Sequence, residues 1–348
     1  MSGILPATFV PGFHDEEQVR QMVYNDLGKT GLKVSKISFG TGVFCYAYND
    51  VNVEKCRATL IRALKHGINY IDTAPYYGQG EAEEVLGKIL EGIPRKAYYI
   101  ATKVGRYAKE WENQFNFSAE KTKQSINESL KRLKLEYVDV LQIHDIEFAS
   151  SIDLILNETI PAVQEIVKSG KARFMGVTGY PVRTLVECIQ KSVIKFDTVL
   201  SYARLTMFDD TLNQFLPIFK KHNLGIINAA VNSLGLLTNL GEREWHVGTP
   251  HIKEVCGQAR KLCLQNNVEL GKLAVWHSLQ QPGPDTTLIG IDSVEVVNYN
   301  LEVLHNGLTT HEKVLYEDVL EIFKNNLKEK HWENHEVKKY WDYIKSLS

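Results

Sequence analysis

Residues 71–81 read Ile71-Asp72-Thr73-Ala74-Pro75-Tyr76-Tyr77-Gly78-Gln79-Gly80-Glu81. An apolar, β-branched run over 68–72 stops at a carboxylate, two phenols and two glycines mark a turn, and an amphipathic stretch begins at 82. Strand, loop and helix in that order form the unit of a parallel α/β sheet. Such units build either an open doubly wound sheet or a closed barrel. The open form carries a turn with three glycines, the third allowing the helix to pack closely. Gly78-Gln79-Gly80-Glu81-Ala82-Glu83 has the first two and puts Glu83 in the third place, and Gly40-Thr41-Gly42-Val43-Phe44-Cys45 does the same with Cys45. A side chain there blocks that packing, so the open sheet is disfavoured.

Working outward, the same unit recurs. Strand-like runs fall at 37–40, 68–72, 98–103, 138–144, 172–178, 198–201, 225–228 and 287–290. Helical patterns fall between them at 52–66, 82–90, 119–133, 154–168, 182–191, 212–222 and 270–280, with Ile126, Leu130 and Leu133 at three- and four-residue spacing as an example. Eight parallel units predict an α/β fold, the (β/α)8 TIM barrel. Residues 24–36, with a Lys29-Thr30-Gly31 turn, predict an N-terminal β-hairpin that plugs one barrel end. After a barrel core of about 22–305, residues 306–348 form a charged, helical C-terminal extension in which Trp332, Tyr340 and Trp341 are available to pack back. No linker-like stretch divides the chain, so one domain over 1–348 is expected.

Composition narrows the function. The 348 residues are 44% hydrophobic and 24% charged, with a net charge of −2, which argues against nucleic acid or an anionic membrane as the main partner. Cys45, Cys56, Cys188, Cys256 and Cys263 form no Cys-x-x-Cys pair and have no matching histidine spacing, so neither a zinc site nor a disulfide framework is indicated. The first twenty residues have no basic region ahead of their apolar piece and no later run reaches spanning length, so a cytoplasmic protein is expected. The Asn-x-Ser/Thr triplets at Asn116, Asn127 and Asn157 are then chance matches.

In a TIM barrel, side chains at strand ends converge on one mouth. The runs here end at Asp72, Lys103 and His144, and Tyr77 follows Asp72 in its loop. Each has a structural reading: a turn cap, a solvated strand end, a hydrogen-bonded core histidine, rim packing. Together they have a chemical one. A phenol with a pKa of about 10 gives up its proton reluctantly near neutrality, and burial makes this worse. An ammonium about 4 Å away supplies roughly 4 kcal/mol at an effective dielectric of 20, enough to overcome modest desolvation. Lys103 is that ammonium, Asp72 its counter-ion, and His144 a second donor to the same oxygen. The tetrad polarises a carbonyl but carries no reducing equivalent, which points to a bound nicotinamide cofactor, NAD(P)H. Phe44, Tyr46, Tyr48 and Trp111, in the loops after the first and third strands, are candidate walls of a substrate site that also includes Tyr77 and His144.

The chain resembles the aldo-keto reductase superfamily from about 27 to 300. LGKTGLKVSKISFGTG resembles its opening hairpin and first strand, and IDTAPYYG matches its Asp-Thr-Ala-x-x-Tyr-Gly motif with Asp72 and Tyr77 in the catalytic places; IATKVG carries the lysine and VDVLQIHD the histidine. GKARFMGVTGY is similar to the segment whose polar pair binds the cofactor carboxamide, with Thr178 and Gly179 standing where Ser-Asn is usual. The resemblance implies a cofactor site of Gly40, Thr41, Gly42, Asp72, Thr178, Gly179, Ser201, Asn232, Ser233, Leu234, Gly235, Leu236, Ile289, Gly290, Asp292, Ser293, Val296 and Asn300. Residues 201–238 and 241–246 are similar to the L-galactose dehydrogenase-like branch, which oxidises a sugar C1 hydroxyl. The aromatic residue that commonly stacks on nicotinamide after strand seven is replaced by a small one near Ala229 or Ala230. The basic residues that usually grip a 2′-phosphate are also replaced, by Gly290 and Val296, while Asp292 adds negative charge, so NAD(H) is expected to serve at least as well as NADP(H). A non-catalytic binding subunit, like the reductase-fold subunits of potassium channels, is the alternative from another class. A Schiff-base aldolase is disfavoured because Asp72 holds Lys103 charged.

Overall fold

A computed structural model describes residues 4–46 and 51–347. Tyr24–Asp26 (β1) and Lys33–Ser35 (β2) pair antiparallel, Tyr24 opposite Ser35. Ile37–Gly40 (β3), Tyr70–Asp72 (β4), Tyr99–Val104 (β5), Val138–Ile143 (β6), Ala172–Gly179 (β7), Thr198–Tyr202 (β8), Gly225–Ala229 (β9) and Thr286–Gly290 (β10) then run parallel around a closed barrel, β10 pairing with both β3 and β9. This is the expected (β/α)8 architecture.

The period-two alternation of a strand sorts the side chains into two layers. Tyr70, Tyr99, Ala101, Val140, Leu200, Ile227 and Leu288 pack inside the barrel, while Ile71, Ile100, Leu141, Val177, Val199 and Ile226 face the surrounding helices. Leu27, Leu32 and Val34 of the hairpin join the inner group and close the N-terminal end. That fit is tight: Gly28 has φ +54°, and a Cβ on it would lie 2.3 Å from Gly225 N. Asp285, just before β10, ties the plug down, its carboxylate accepting from Gly28 N–H (3.2 Å) and its carbonyl from the Asn25 amide (2.7 Å).

Two helical patterns differ from expectation, each at a proline. The stretch 154–168 is a π-type turn, Ile155–Thr159, running into the α-helix Ile160–Lys168, because Pro161 brings no N–H to a regular ladder. Likewise 212–222 splits into the 3-10 turn Thr211–Gln214 and the helix Leu216–Lys221, which has Pro217 in its first turn. The helix Pro250–Gln265 went unanticipated although its signals were present: Thr249 caps it by accepting from Ile252 N–H (3.3 Å), and Ile252, Val255, Cys256, Ala259 and Cys263 form a buried stripe. Glu83, in the would-be third glycine place, is fully buried and clamps its helix, accepting from Thr102 (2.5 Å) and from Arg132 (2.7 Å).

Past the barrel come the helices Val294–Asn306, Thr310–Asn326 and His335–Ser346. Thr310–Asn326 packs on the helix Pro250–Gln265, and His335–Ser346 returns the chain across the C-terminal mouth. Trp332 stacks on Tyr180 at 4.8 Å, Tyr340 sits edge-on to Phe115 and Phe148 at 5.1 and 5.6 Å, and Trp341 lies against Tyr340. All five cysteines are buried. Among the described residues, no helix is long and apolar enough to cross a membrane.

Candidate active site

Three neighbouring strands point polar side chains at the same spot. Asp72 ends β4, Lys103 lies in β5 and Gln142 in β6, with Lys103 directly opposite Gln142 in the ladder. Lys103 Nζ donates to Asp72 Oδ1, to the Thr73 carbonyl (2.9 Å) and to Tyr77 Oη (3.2 Å). The other Asp72 oxygen accepts from Gln142 Nε2 at 2.7 Å. His144 lies one residue beyond β6, its N–H held by the Val104 carbonyl at 2.8 Å, and its ring meets that of Tyr77 edge-on, centroids 6.0 Å apart. Asp72, Lys103 and His144 are buried, whereas Tyr77 keeps partial access to solvent. The structure thus brings the four predicted polar residues together.

Their electrostatics follow from burial and from one another. Burial works to lower the Lys103 ammonium, but Asp72 and Tyr77 outweigh it and hold the pKa above its usual value. For Tyr77 burial wins, contrary to the sequence-based expectation. Lys103 pulls the phenol down, Asp72 pushes it back, and the net position lies above 10. Burial holds His144 at about 3, with Asp145 opposing and Lys103 and Arg106 assisting, so the imidazole is neutral near pH 7. Its Nδ1 has no protein partner. A neutral imidazole offers one N–H, so the site holds a phenol and an imidazole as candidate donors beside a fixed ammonium.

The residues expected around a dinucleotide ring the same mouth. Thr41 donates through both its N–H and its hydroxyl to the Asp72 carbonyl (3.0 Å each), and Gly42 faces the Tyr77 ring, where an added Cβ would lie 3.8 Å away. Gly40 and Gly290 stand opposite each other in the β3–β10 ladder, one step beyond the buried pair Phe39 and Ile289. Gly179 pairs with Ser201 across β7 and β8, while Thr178 Oγ1 accepts from Asp145 N–H at 3.2 Å. After β9, Ser233, Leu234 and Gly235 have consecutive positive φ values of 48°, 56° and 105°, and Leu236 is buried beneath them. For the two non-glycine residues that conformation costs about 1 kcal/mol or more each. Ser293 caps the helix Val294–Asn306, accepting from Val296 N–H at 3.3 Å, with Asp292 just before it. Across this ring, Ser201 Oγ, Asn232 Oδ1, Ser233 Oγ and both amide atoms of Asn300 are buried without protein partners. Buried polar groups are normally satisfied, so this set fits a ligand rich in amide, hydroxyl and phosphate groups, as a nicotinamide dinucleotide is.

The aromatic candidates are placed differently. Phe44 is buried edge-on to Phe39 at 5.6 Å in the layer beneath the helices, and so packs in the core rather than walling the mouth. Tyr46 is 70% exposed. Trp111 packs edge-on against Tyr343 (5.3 Å) and Tyr340 (6.5 Å) of the last helix. Tyr48 lies outside the described residues. Sequence reasoning missed Gln142, although it precedes His144 by two and so shares its face of the strand. It also missed Arg106, Asp145 and Glu147, which no local pattern marked.

Comparison with known proteins follows the same lines. A family model described as the Aldo/keto reductase family matches residues 36–321. The chain is 39% identical over 306 residues to L-galactose dehydrogenase of Arabidopsis thaliana, covering 86% of this chain and 94% of that protein. It is 29% identical over 315 residues to D-arabinose 1-dehydrogenase of Saccharomyces cerevisiae, covering 85% and 92%. An aldo-keto reductase of Bacillus halodurans solved in its holo form superposes with a TM-score of 0.68 at 26% identity, over 86% of this chain and 96% of that one.

Proposed function

Since this chain belongs to the aldo/keto reductase family, we propose that it interconverts a carbonyl, with an aldose C1 as the leading case, and the corresponding alcohol by NAD(P)-dependent hydride transfer, Tyr77 being the proton donor. The observation that carries this reading is Lys103 held between Asp72 and Tyr77 at the barrel mouth, its ammonium 3.2 Å from the phenol oxygen. The aldose preference is supported by the two sugar dehydrogenase relatives.

When bound, the cofactor supplies the hydride. The chain's own residues handle the proton. A phenol whose pKa stands above 10 is fully protonated at neutrality and ready to donate. As the substrate oxygen becomes an alkoxide, Tyr77 Oη gives it a proton, and the phenolate left behind lies within hydrogen-bond reach of the Lys103 ammonium. Asp72, fixed by Gln142, keeps that ammonium charged and aimed. His144 donates its one N–H to the same substrate oxygen and orients the carbonyl. In oxidation the steps reverse, with Tyr77 as acceptor.

A purely binding role would leave this arrangement without a use, although burying an ion pair costs on the order of several kcal/mol per ion before mutual attraction. The test is Tyr77→Phe, assayed with aldoses and both nicotinamide cofactors. Turnover should fall by about 10²- to 10⁴-fold while cofactor affinity stays within about twofold, since the hydroxyl acts chiefly in the transition state. Unchanged turnover would refute the assignment.

A further inference from the structure

Beside His144 lies a charged cluster that the proton transfer above does not use. Asp145, the next residue, has φ +52°, a left-handed conformation that swings its carboxylate back toward the imidazole, with Oδ2 3.6 Å from His144 Nε2. The same oxygen accepts from Arg106 NH1 at 2.7 Å. Arg106 NH2 donates to Tyr76 Oη at 3.1 Å, and the guanidinium lies 3.9 Å over the Tyr76 ring, which in turn sits edge-on to His144 at 6.1 Å. Arg106 thus touches two groups that flank the histidine. It is itself held by Glu336 of the last helix, which accepts from NH2 at 3.1 Å.

We propose that Arg106 is a positioning residue: by occupying the Asp145 carboxylate and stacking on Tyr76, it keeps His144 uncharged and aimed as a hydrogen-bond donor, with Glu336 holding it in place. The proposal rests on the role given to His144 above. Burial is the largest force against a charge on His144, and Arg106 adds to it by competing for one oxygen. A buried carboxylate next to an imidazole draws a proton onto the ring unless another cation satisfies it first. Lys103 is already engaged by Asp72 and Tyr77, so Arg106 is the cation in contact with Asp145. The charged and titratable groups around His144 are then Asp145 beside it, Lys103 and Asp72 from β5 and β4, Tyr76 and Tyr77 from the loop after β4, and Arg106 after β5. Glu147 and Tyr202 interact with Asp145, and Glu336 reaches it through Arg106. Burial and Asp145 hold the Glu147 carboxyl well above the usual range.

The decisive readout needs no substrate, which keeps its failure separate from an absence of turnover. Histidine-selective NMR on the full chain should find His144 of the wild type silent from about pH 8 to pH 5, the window in which an ordinary histidine titrates. In Arg106→Met, the His144–Asp145 pair should take up a proton within that window, and the pH profile of kcat should gain an ionisation that the wild type lacks. Arg106→Met/Asp145→Asn, which removes both charges, should return His144 to silence. If Arg106→Met does not fold, Arg106→Gln decides, because its amide can still donate hydrogen bonds in that position but brings no charge to Asp145. A His144 that stays silent throughout the window in a folded Arg106→Met or Arg106→Gln variant overturns the proposal.

Discussion

At the scale of single residues, the site is governed by which buried charges are neutralised. Burial pushes the Tyr77 phenol up, and Asp72 offsets part of the opposing pull of Lys103, so the phenol stays above its ordinary value and acts as an acid rather than as a standing phenolate. The two most depressed histidines have a consequence for stability. Burial holds His144 at about 3 and His277 at about 4, against an ordinary value of 6.5. Unfolding lets both bind protons at pH values where the folded chain binds none. The unfolded state is therefore favoured as pH falls through 6.5 toward those lower values, and both contributions to stability are complete above it. Urea midpoints should hold steady between about pH 8 and pH 7 and decline on further acidification. His277→Gln, which leaves the tetrad untouched, should decline less steeply than wild type. Equal slopes in the two proteins would rule out His277 as a contributor.

At the scale of elements, the barrel is closed at one end by a hairpin and crossed at the other by the tail. Leu27 is fully buried at the hairpin tip, against Gly225 and inside the ring of β-strand side chains. Leu27→Ala should cost about 2–5 kcal/mol, read by chemical denaturation, because the strands around it cannot collapse into the space. The plug sits at the end opposite the tetrad, so turnover of the folded fraction should be unchanged. A loss of turnover matching the loss of stability would mean that the plug also shapes the mouth. The tail works differently: Glu333 and Glu336 pair with the buried Arg204 and Arg106 while Trp332 stacks on Tyr180, so it adds charge as well as apolar cover to the mouth.

At the scale of the whole molecule, we place cofactor choice at the barrel rim, where β10 passes into the helix Val294–Asn306. Gly290 ends β10 and Val296 lies in the first turn of the helix Val294–Asn306, with Asp292 between them. Neither of the two flanking residues pairs with a phosphate, and a carboxylate repels a dianion while accepting hydrogen bonds from an unmodified ribose. NAD(H) should therefore give a kcat/KM at least equal to that of NADP(H), and Val296→Arg should shift the ratio toward NADP(H) by about tenfold or more, the usual worth of a charged hydrogen bond. A strong NADP(H) preference in the wild type would defeat this assignment.

Much of this was legible from local pattern. Eight repeats of strand and helix leave few ways to bury eight two-faced strands, and the period of two then obliges Asp72, Lys103, Gln142 and His144 to share the inner face. The third-glycine positions filled by Cys45 and Glu83 were readable because the need for a missing side chain there is a local requirement. What pattern did not reach was anything set by where distant segments meet. The pairing of Arg106 with Glu336 spans 230 residues, and Trp111 was free to face the mouth until the last helix covered it. Phe44 lies in the same loop as mouth residues but turns under the helices, since its neighbour Phe39 faces outward. The net position of the Tyr77 phenol followed suit. A sequence names the charges near a group, but their balance depends on separations and on burial, and those exist once the barrel has closed.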